Sequence, residues 1–134
     1  MSTYDLVLKG GRVIDPSQKL DGIADVAFAG GKVAAVGANL GAGPDTEVRS
    51  AKGYIVAPGL IDLHTHVYWG GTSLGIDAED FCRMSGVTTA IDTGSAGPGN
   101  FAGFRKHVIE PSQVRILAYL HVSFAGIFGF SNTV

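Results

Sequence analysis

One cysteine, Cys82, stands among the 134 residues. No intramolecular disulfide can therefore form, and the fold must hold by packing, which fits a reducing compartment. Charge is scarce as well. Asp, Glu, Lys and Arg make up 16% of the chain, with a net charge of −2. Without a basic cluster or stripe there is no electrostatic footprint for nucleic acid. Long apolar runs are missing too. The longest, residues 116–120, falls far short of the roughly 20 needed to span a bilayer. The opening Met1-Ser2-Thr3-Tyr4-Asp5 lacks the charged region and apolar stretch of a secretory signal. The expectation is a cytoplasmic protein with neither a nucleic-acid nor a membrane partner.

What the chain does have is glycine: 20 of 134 residues, about twice the ordinary share of roughly 7%. The glycines fall between short β-branched runs, where tight turns need a positive φ. Apolar residues, at 46%, suffice for a core. Leu6-Val7-Leu8-Lys9 and Arg12-Val13-Ile14 flank Gly10-Gly11, and residues 25–29 and 32–36 flank Gly30-Gly31. Both pairs read as two-residue hairpin turns. Short strands at 46–48 and 54–56 complete a small β unit over residues 1–56.

After Pro58-Gly59 the rhythm changes. A strand over 60–66 leads to a helix over about 77–85, with Asp77, Glu79 and Asp80 in its first turn and Gly86 at its end. A β-branched strand follows at 87–92. Asn100 stands where it would cap a second helix running to about 109, before Pro111, and a third strand spans 114–122. Alternating strands and helices predict an α/β architecture with a parallel sheet. A (β/α)₈ barrel needs about 250 residues. Residues 57–134 therefore read as an incomplete barrel, with its first three strands and two helices. Phe124, Ile127, Phe128 and Phe130 near the end form an apolar tail with nothing to cover, and the chain reads as the front of a larger protein.

The run Pro58-Gly59-Leu60-Ile61-Asp62-Leu63-His64-Thr65-His66 carries the chemistry. Alternate strand residues share a face, so Asp62, His64 and His66 are expected on one side and Ile61, Leu63 and Thr65 on the other. Neutral imidazole is the commonest metal ligand, and two of them presented together can grip one cation. Two ligands leave its other positions to water. Asp62 reads either as a carboxylate orienting a histidine or as packing.

Four segments, taken together, resemble the amidohydrolase superfamily. They are residues 5–16 (Asp5-Leu6-Val7-Leu8-Lys9-Gly10-Gly11-Arg12-Val13-Ile14-Asp15-Pro16), residues 25–33, residues 53–66 ending in His-x-His, and Gly86-Val87-Thr88-Thr89-Ala90-Ile91-Asp92. The branch is the one holding dihydroorotase-like proteins, D-aminoacylases and amidohydrolase/deacetylases. The loops His66-Val67-Tyr68-Trp69-Gly70-Gly71-Thr72 and Asp92-Thr93-Gly94-Ser95-Ala96-Gly97 look most like the deacetylase subgroup.

The resemblance implies a small β-sandwich domain, its N-terminal part over residues 1–56, beside the barrel of a metal-dependent hydrolase acting on carbon–nitrogen bonds other than peptide bonds, or on an ester, of a small-molecule substrate. His64 and His66 would be ligands of the more buried divalent metal, commonly zinc, in a one- or two-metal centre. A carboxylated lysine, two further histidines and an aspartate that moves the proton are expected beyond Val134. No catalytic residue is therefore assigned within the chain, which by itself is expected to be inactive. Dihydroorotase proper normally carries an arginine shortly after His-x-His. Residues 67–71 contain none, which argues against that specific role.

The remaining candidates have two readings each. Tyr68 and Trp69 either wall a pocket or pack as aromatics. Thr93, Gly94 and Ser95 either contact substrate or form a plain turn. His121 either lines the mouth or is structural, His107 falls on a solvated helix face, and Cys82 reads as core. The alternative to an enzyme segment is a non-catalytic truncated remnant or association fragment. It predicts homo-oligomers or a complementing C-terminal segment.

Overall fold

Short β-branched runs punctuated by glycine build the first half of the chain. In the computed structural model, which describes residues 4–127, that half is one unit, Met1–Pro58, and Gly59–Val134 is a second. The first unit holds β1 (Leu6–Asp15), β2 (Leu20–Ala29), β3 (Lys32–Gly37), β4 (Glu47–Ser50) and β5 (Ile55–Val56) in a single sheet of order β3-β2-β1-β4, with β5 also pairing β1. β1 and β3 run antiparallel to β2, whereas β4 and β5 run parallel to β1. Val7, Val13, Val26, Ala27 and Ala51 are its buried apolar residues.

The two Gly-Gly pairs behave differently. Gly30 and Gly31, at φ 57° and 73°, form the expected hairpin turn between β2 and β3, and only glycine enters that conformation without strain. Gly10-Gly11 does not turn the chain. β1 runs straight through it, and pairing jumps from Leu8↔Val26 to Gly11↔Ala24. Lys9 and Gly10 thus oppose Asp25 alone, which is a β-bulge. The bulge frees the Gly10 N–H from the ladder, and the Asp25 carboxylate accepts it at 2.9 Å. The same carboxylate takes Lys9 Nζ at 2.7 Å and the Leu40 N–H at 3.0 Å. The chain reverses instead at a short 3₁₀ turn, Pro16–Gln18. Asp15 caps that turn through the Ser17 N–H, and Lys19 closes it at φ 56°.

The second unit alternates as the sequence predicts: β6 (Leu60–Thr65), α1 (Ala78–Ser85), β7 (Val87–Thr93), α2 (Phe101–Phe104) continued by a wider π turn over Arg105–Ile109, and β8 (Arg115–Tyr119). The three strands form a parallel sheet of order β6-β7-β8. Asp77 caps α1 by accepting the Glu79 and Asp80 N–H groups, and Gly86 ends it at φ 73°. Asn100 precedes α2 without capping it. Its Oδ1 accepts the Gly97 N–H, while its amide donates to the Ala125 carbonyl. β8 ends at Tyr119, short of the expected 122.

One face of this sheet, carrying Ala90, Asp92 and Ile116, is buried with Cys82 and Val87 and with Val67, Ala78, Ala96 and Phe104. The other face carries Ile61, Leu117 and Tyr119, which are 59%, 43% and 66% exposed. Phe124 is exposed, and Phe128 and Phe130 lie outside the described residues. No helix among the described residues is long and apolar enough to cross a membrane.

Candidate metal-binding end of the parallel sheet

The end of β6 departs from simple alternation. Asp62 pairs with Ala90 and Thr65 with Asp92, so three steps on β6 match two on β7. Paired residues of neighbouring strands share a face, and Ala90 and Asp92 share theirs. Asp62 and Thr65 therefore lie together on the buried side, with His64 and His66 flanking Thr65 on the other. The expectation that Asp62 shares the histidine face is corrected by this extra residue. Asp62 itself supports the irregularity: its Oδ1 accepts the His64 N–H at 3.0 Å, the Asx geometry that competes with regular pairing.

The two imidazoles come together. Their ring centroids are 5.5 Å apart and nearly perpendicular, at 79°. His64 is exposed and His66 half-buried. Between them Thr65 is buried and donates from Oγ1 to the Ile91 carbonyl at 3.0 Å, which fixes the strand end. Nδ1 of His66 lies 3.0 Å from Ser95 Oγ, which directs Nε2 to the role of the remaining ring nitrogen.

Asp92 organises the surroundings. It is fully buried, and its carboxylate accepts the Val67 N–H at 2.8 Å, the Gly94 N–H at 3.1 Å and the Ser95 N–H at 2.7 Å. One side chain thus ties the residue after His66 to the loop after β7. The segment after β8 clamps that loop from another side. His121 N–H bonds the Ala96 carbonyl and Ile127 N–H the Gly94 carbonyl, both at 2.9 Å, and Gly99 N–H bonds the Phe124 carbonyl at 2.8 Å. Sequence reading missed Asp92. Its signal was an aspartate at a strand end followed by Thr-Gly-Ser, the composition of an Asx turn.

The other candidates are placed as follows. Tyr68 stacks on Phe104, with centroids 4.6 Å apart, and belongs to the packing around the core. Trp69 is exposed. Ser95 meets His66, as above. Thr93 Oγ1 donates to the Thr65 carbonyl. His121 accepts the Ser123 N–H on Nδ1 at 2.9 Å, so its proton resides on Nε2. His107 is exposed on the π turn. Cys82 is buried in α1, and burial pushes its thiol pKa up, reinforced by the Glu79 and Asp62 charges. Two depressions, of about 800 Å³ beside Glu79, Arg83 and Gln113 and about 650 Å³ beside Trp69, Ile76 and Met84, are not lined by His64, His66 or His121.

Among the described residues no group of three or more His, Cys, Asp or Glu side chains is placed to hold an ion. The donor set is two neutral imidazoles side by side, one of them anchored at its rear nitrogen. That is the chemistry of a partial nitrogen-ligand site for a borderline metal such as Zn²⁺, so the residues present fit two ligands of such an ion.

No family model matches the chain. Among curated proteins it is 47% identical over 97 residues to a deacetylase of Agrobacterium fabrum (strain C58), a match covering 72% of this chain and 24% of that protein. It is 51% identical over 63 residues to a dihydroorotase of Syntrophus aciditrophicus (strain SB), covering 46% of this chain and 15% of the relative. Among solved structures, a dihydroorotase superposes with a TM-score of 0.80 at 38% identity, over 90% of this chain and 32% of that one. The chain spans about a quarter or less of the length of these curated relatives.

Proposed function

This chain belongs to the amidohydrolase superfamily, and from that membership we propose that it contributes half of a divalent-metal centre to a hydrolase cleaving a C–N or ester bond of a small molecule. The carrying observation is the His64–His66 pair, with rings 5.5 Å apart at the end of a parallel strand. His64 and His66 would hold the ion, zinc being the metal that suits imidazole ligands. Ser95 would orient the His66 ring, and Thr65, tied to Ile91, would keep the two histidines on one face. A bound divalent ion would supply Lewis acidity and lower the pKa of bound water from about 15.7 towards 7. The further ligands and the proton-transferring carboxylate would come from outside this chain, and the whole reading treats β6, β7 and β8 as the opening strands of a barrel.

A calorimetric titration with Zn²⁺ tests the centre directly. Binding to the chain that disappears in His64→Ala and in His66→Ala is the expected result, while uptake unchanged in the double variant removes the reading. For substrate class, N-acetyl amino acids and dihydroorotate are the discriminating pair, assayed on a protein that carries this segment with the missing ligands. The deacetylase likeness and the absence of arginine in Val67-Tyr68-Trp69-Gly70-Gly71 favour the acetylated substrate.

One observation supports a second reading, an association fragment without catalysis. The sheet face bearing Ile61, Leu117 and Tyr119, which also carries Arg115, leaves these three large apolar side chains exposed. A monodisperse monomer in sedimentation would remove that reading.

A further inference from the structure

We infer that Ser95 is a positioning residue for His66: its buried hydroxyl accepts the Nδ1 proton of the ring and so leaves the lone pair on Nε2, where a cation needs it. This rests on the metal-centre reading above and deepens it by assigning the proton and the residue that holds it.

The hydroxyl lies 3.0 Å from Nδ1 and Ser95 is fully buried, so bulk water does not compete for the contact. Its backbone is held on several sides. The Ser95 N–H bonds Asp92 Oδ1 at 2.7 Å, and the carbonyls of the residues on either side, Gly94 and Ala96, accept N–H groups of Ile127 and His121 at 2.9 Å. A Cβ on Gly126 would collide with the Ser95 carbonyl, so the segment after β8 is pressed against this loop. Ser95 is thus a fixed point, and the His66 ring is the part that adjusts to it.

A neutral imidazole has one N–H and one lone pair, and a hydroxyl can meet either. The ring that receives an O–H on Nδ1 carries its proton on Nε2 and cannot hold a cation there. The ring that donates Nδ1–H to Oγ can. His121 supplies the contrast within the same unit. Its Nδ1 faces the Ser123 backbone N–H at 2.9 Å, a group that only donates, so His121 is held in the opposite tautomer and is unsuited to bind through Nε2.

Ring ¹⁵N spectra of the metal-free chain, at a pH where both histidines are neutral, test this without any enzyme assay. The expected result is Nδ1–H for His66 and Nε2–H for His121, with His66 shifting towards Nε2–H in Ser95→Ala. Free imidazole side chains favour Nε2–H, so His66 found in that form in the unaltered chain overturns the inference. Zn²⁺ affinity of the same two proteins gives the second arm. Losing the partner of a ligating histidine is expected to weaken binding about 10–100-fold, and equal affinity overturns the role. If the unaltered chain takes up no Zn²⁺, the metal-centre reading fails, while the His66 tautomer still decides the role of Ser95. A Ser95→Ala chain that does not fold leaves the decision to the spectrum of the unaltered chain.

Discussion

Asp92 and Asp25 do the same work in the two units: each is a buried carboxylate that collects backbone N–H groups left outside the strand ladders, at a bulge or in the loops beyond strand ends. Asp92 takes three, from Val67, Gly94 and Ser95. Replacing it by alanine leaves all three buried without a partner, and such orphaned donors cost about 1–3 kcal/mol each, less than additively. Asp92→Ala is therefore expected to lower the unfolding free energy by about 3 kcal/mol, read from the urea midpoint at unchanged slope. Asp25 adds a charge partner. The Lys9 ammonium, followed by the Gly10 and Leu40 N–H groups, holds its carboxyl below the usual carboxylate range against the opposing effect of burial. A depressed carboxyl stabilises the fold fully above its ordinary pKa, and that contribution disappears as pH falls through the lowered folded value. Stability of the chain is thus expected to decline on the acid side, below about pH 4. In Asp25→Asn the decline should be shallower and the neutral-pH plateau lower. An identical acid limb in the variant would show that the pairing contributes nothing.

At the scale of elements, strand and helix identities were legible wherever a local pattern has one physical outcome. The α1 helix follows from Asp77 before an amphipathic run and Gly86 after it. The parallel sheet follows from alternation of strand and helix. Two features were not legible, both for the same reason. Gly10-Gly11 and Gly30-Gly31 are identical dipeptides flanked by similar residues, yet one is a bulge and the other a turn. The difference lies in Asp25, 15 residues away, which stabilises the bulge by accepting its free N–H. Likewise the face of Asp62 was misjudged because a single inserted residue reverses the parity of everything before it. His64 and His66 escaped that error, since both flank Thr65, whose pairing with Asp92 puts the two on the same side. The glycines themselves give a ranked prediction. Gly10 has a positive φ of 69° but open space around it, so Gly10→Ala should cost about 1–2 kcal/mol, the strain alone. A Cβ on Gly97 would run into the Ser123 carbonyl, with Phe124 and Gly126 backbone atoms close behind. Backbone cannot swing aside as a side chain can. Gly97→Ala should therefore be the more harmful of the two in thermal melts, and should also disturb Ser95 and the Zn²⁺ affinity, whereas Gly10→Ala should leave that affinity untouched.

Across the molecule, the uneven treatment of the two faces of the second sheet has the widest consequence. Parallel sheets are ordinarily covered on both sides, and here α1 and α2 pack with only one. The uncovered face presents Ile61, Leu117 and Tyr119, with His64 and His66 at its end, and Leu120, Val122 and Phe124 are exposed beyond β8. Each Å² of apolar surface taken from water stabilises by about 25 cal/mol, so a face of this kind favours any arrangement that covers it. The expected behaviour of the chain alone is concentration-dependent association, visible as a rising weight-average mass in sedimentation. The pair Leu117→Lys and Tyr119→Lys distinguishes association through this face from association elsewhere. Tyr119 is 66% and Leu117 43% exposed, so both side chains already meet solvent in part, and their replacement is expected to cost less than a core substitution. The double variant should therefore stay folded, with a modestly lowered melting temperature, while its mass falls towards that of the monomer. Association that persists unchanged in the double variant would have to run through another surface, such as the one bearing Trp69, Ile76 and the 90% exposed Met84. In that case the open face would be stable in water by itself, and the argument that it requires a cover would fail.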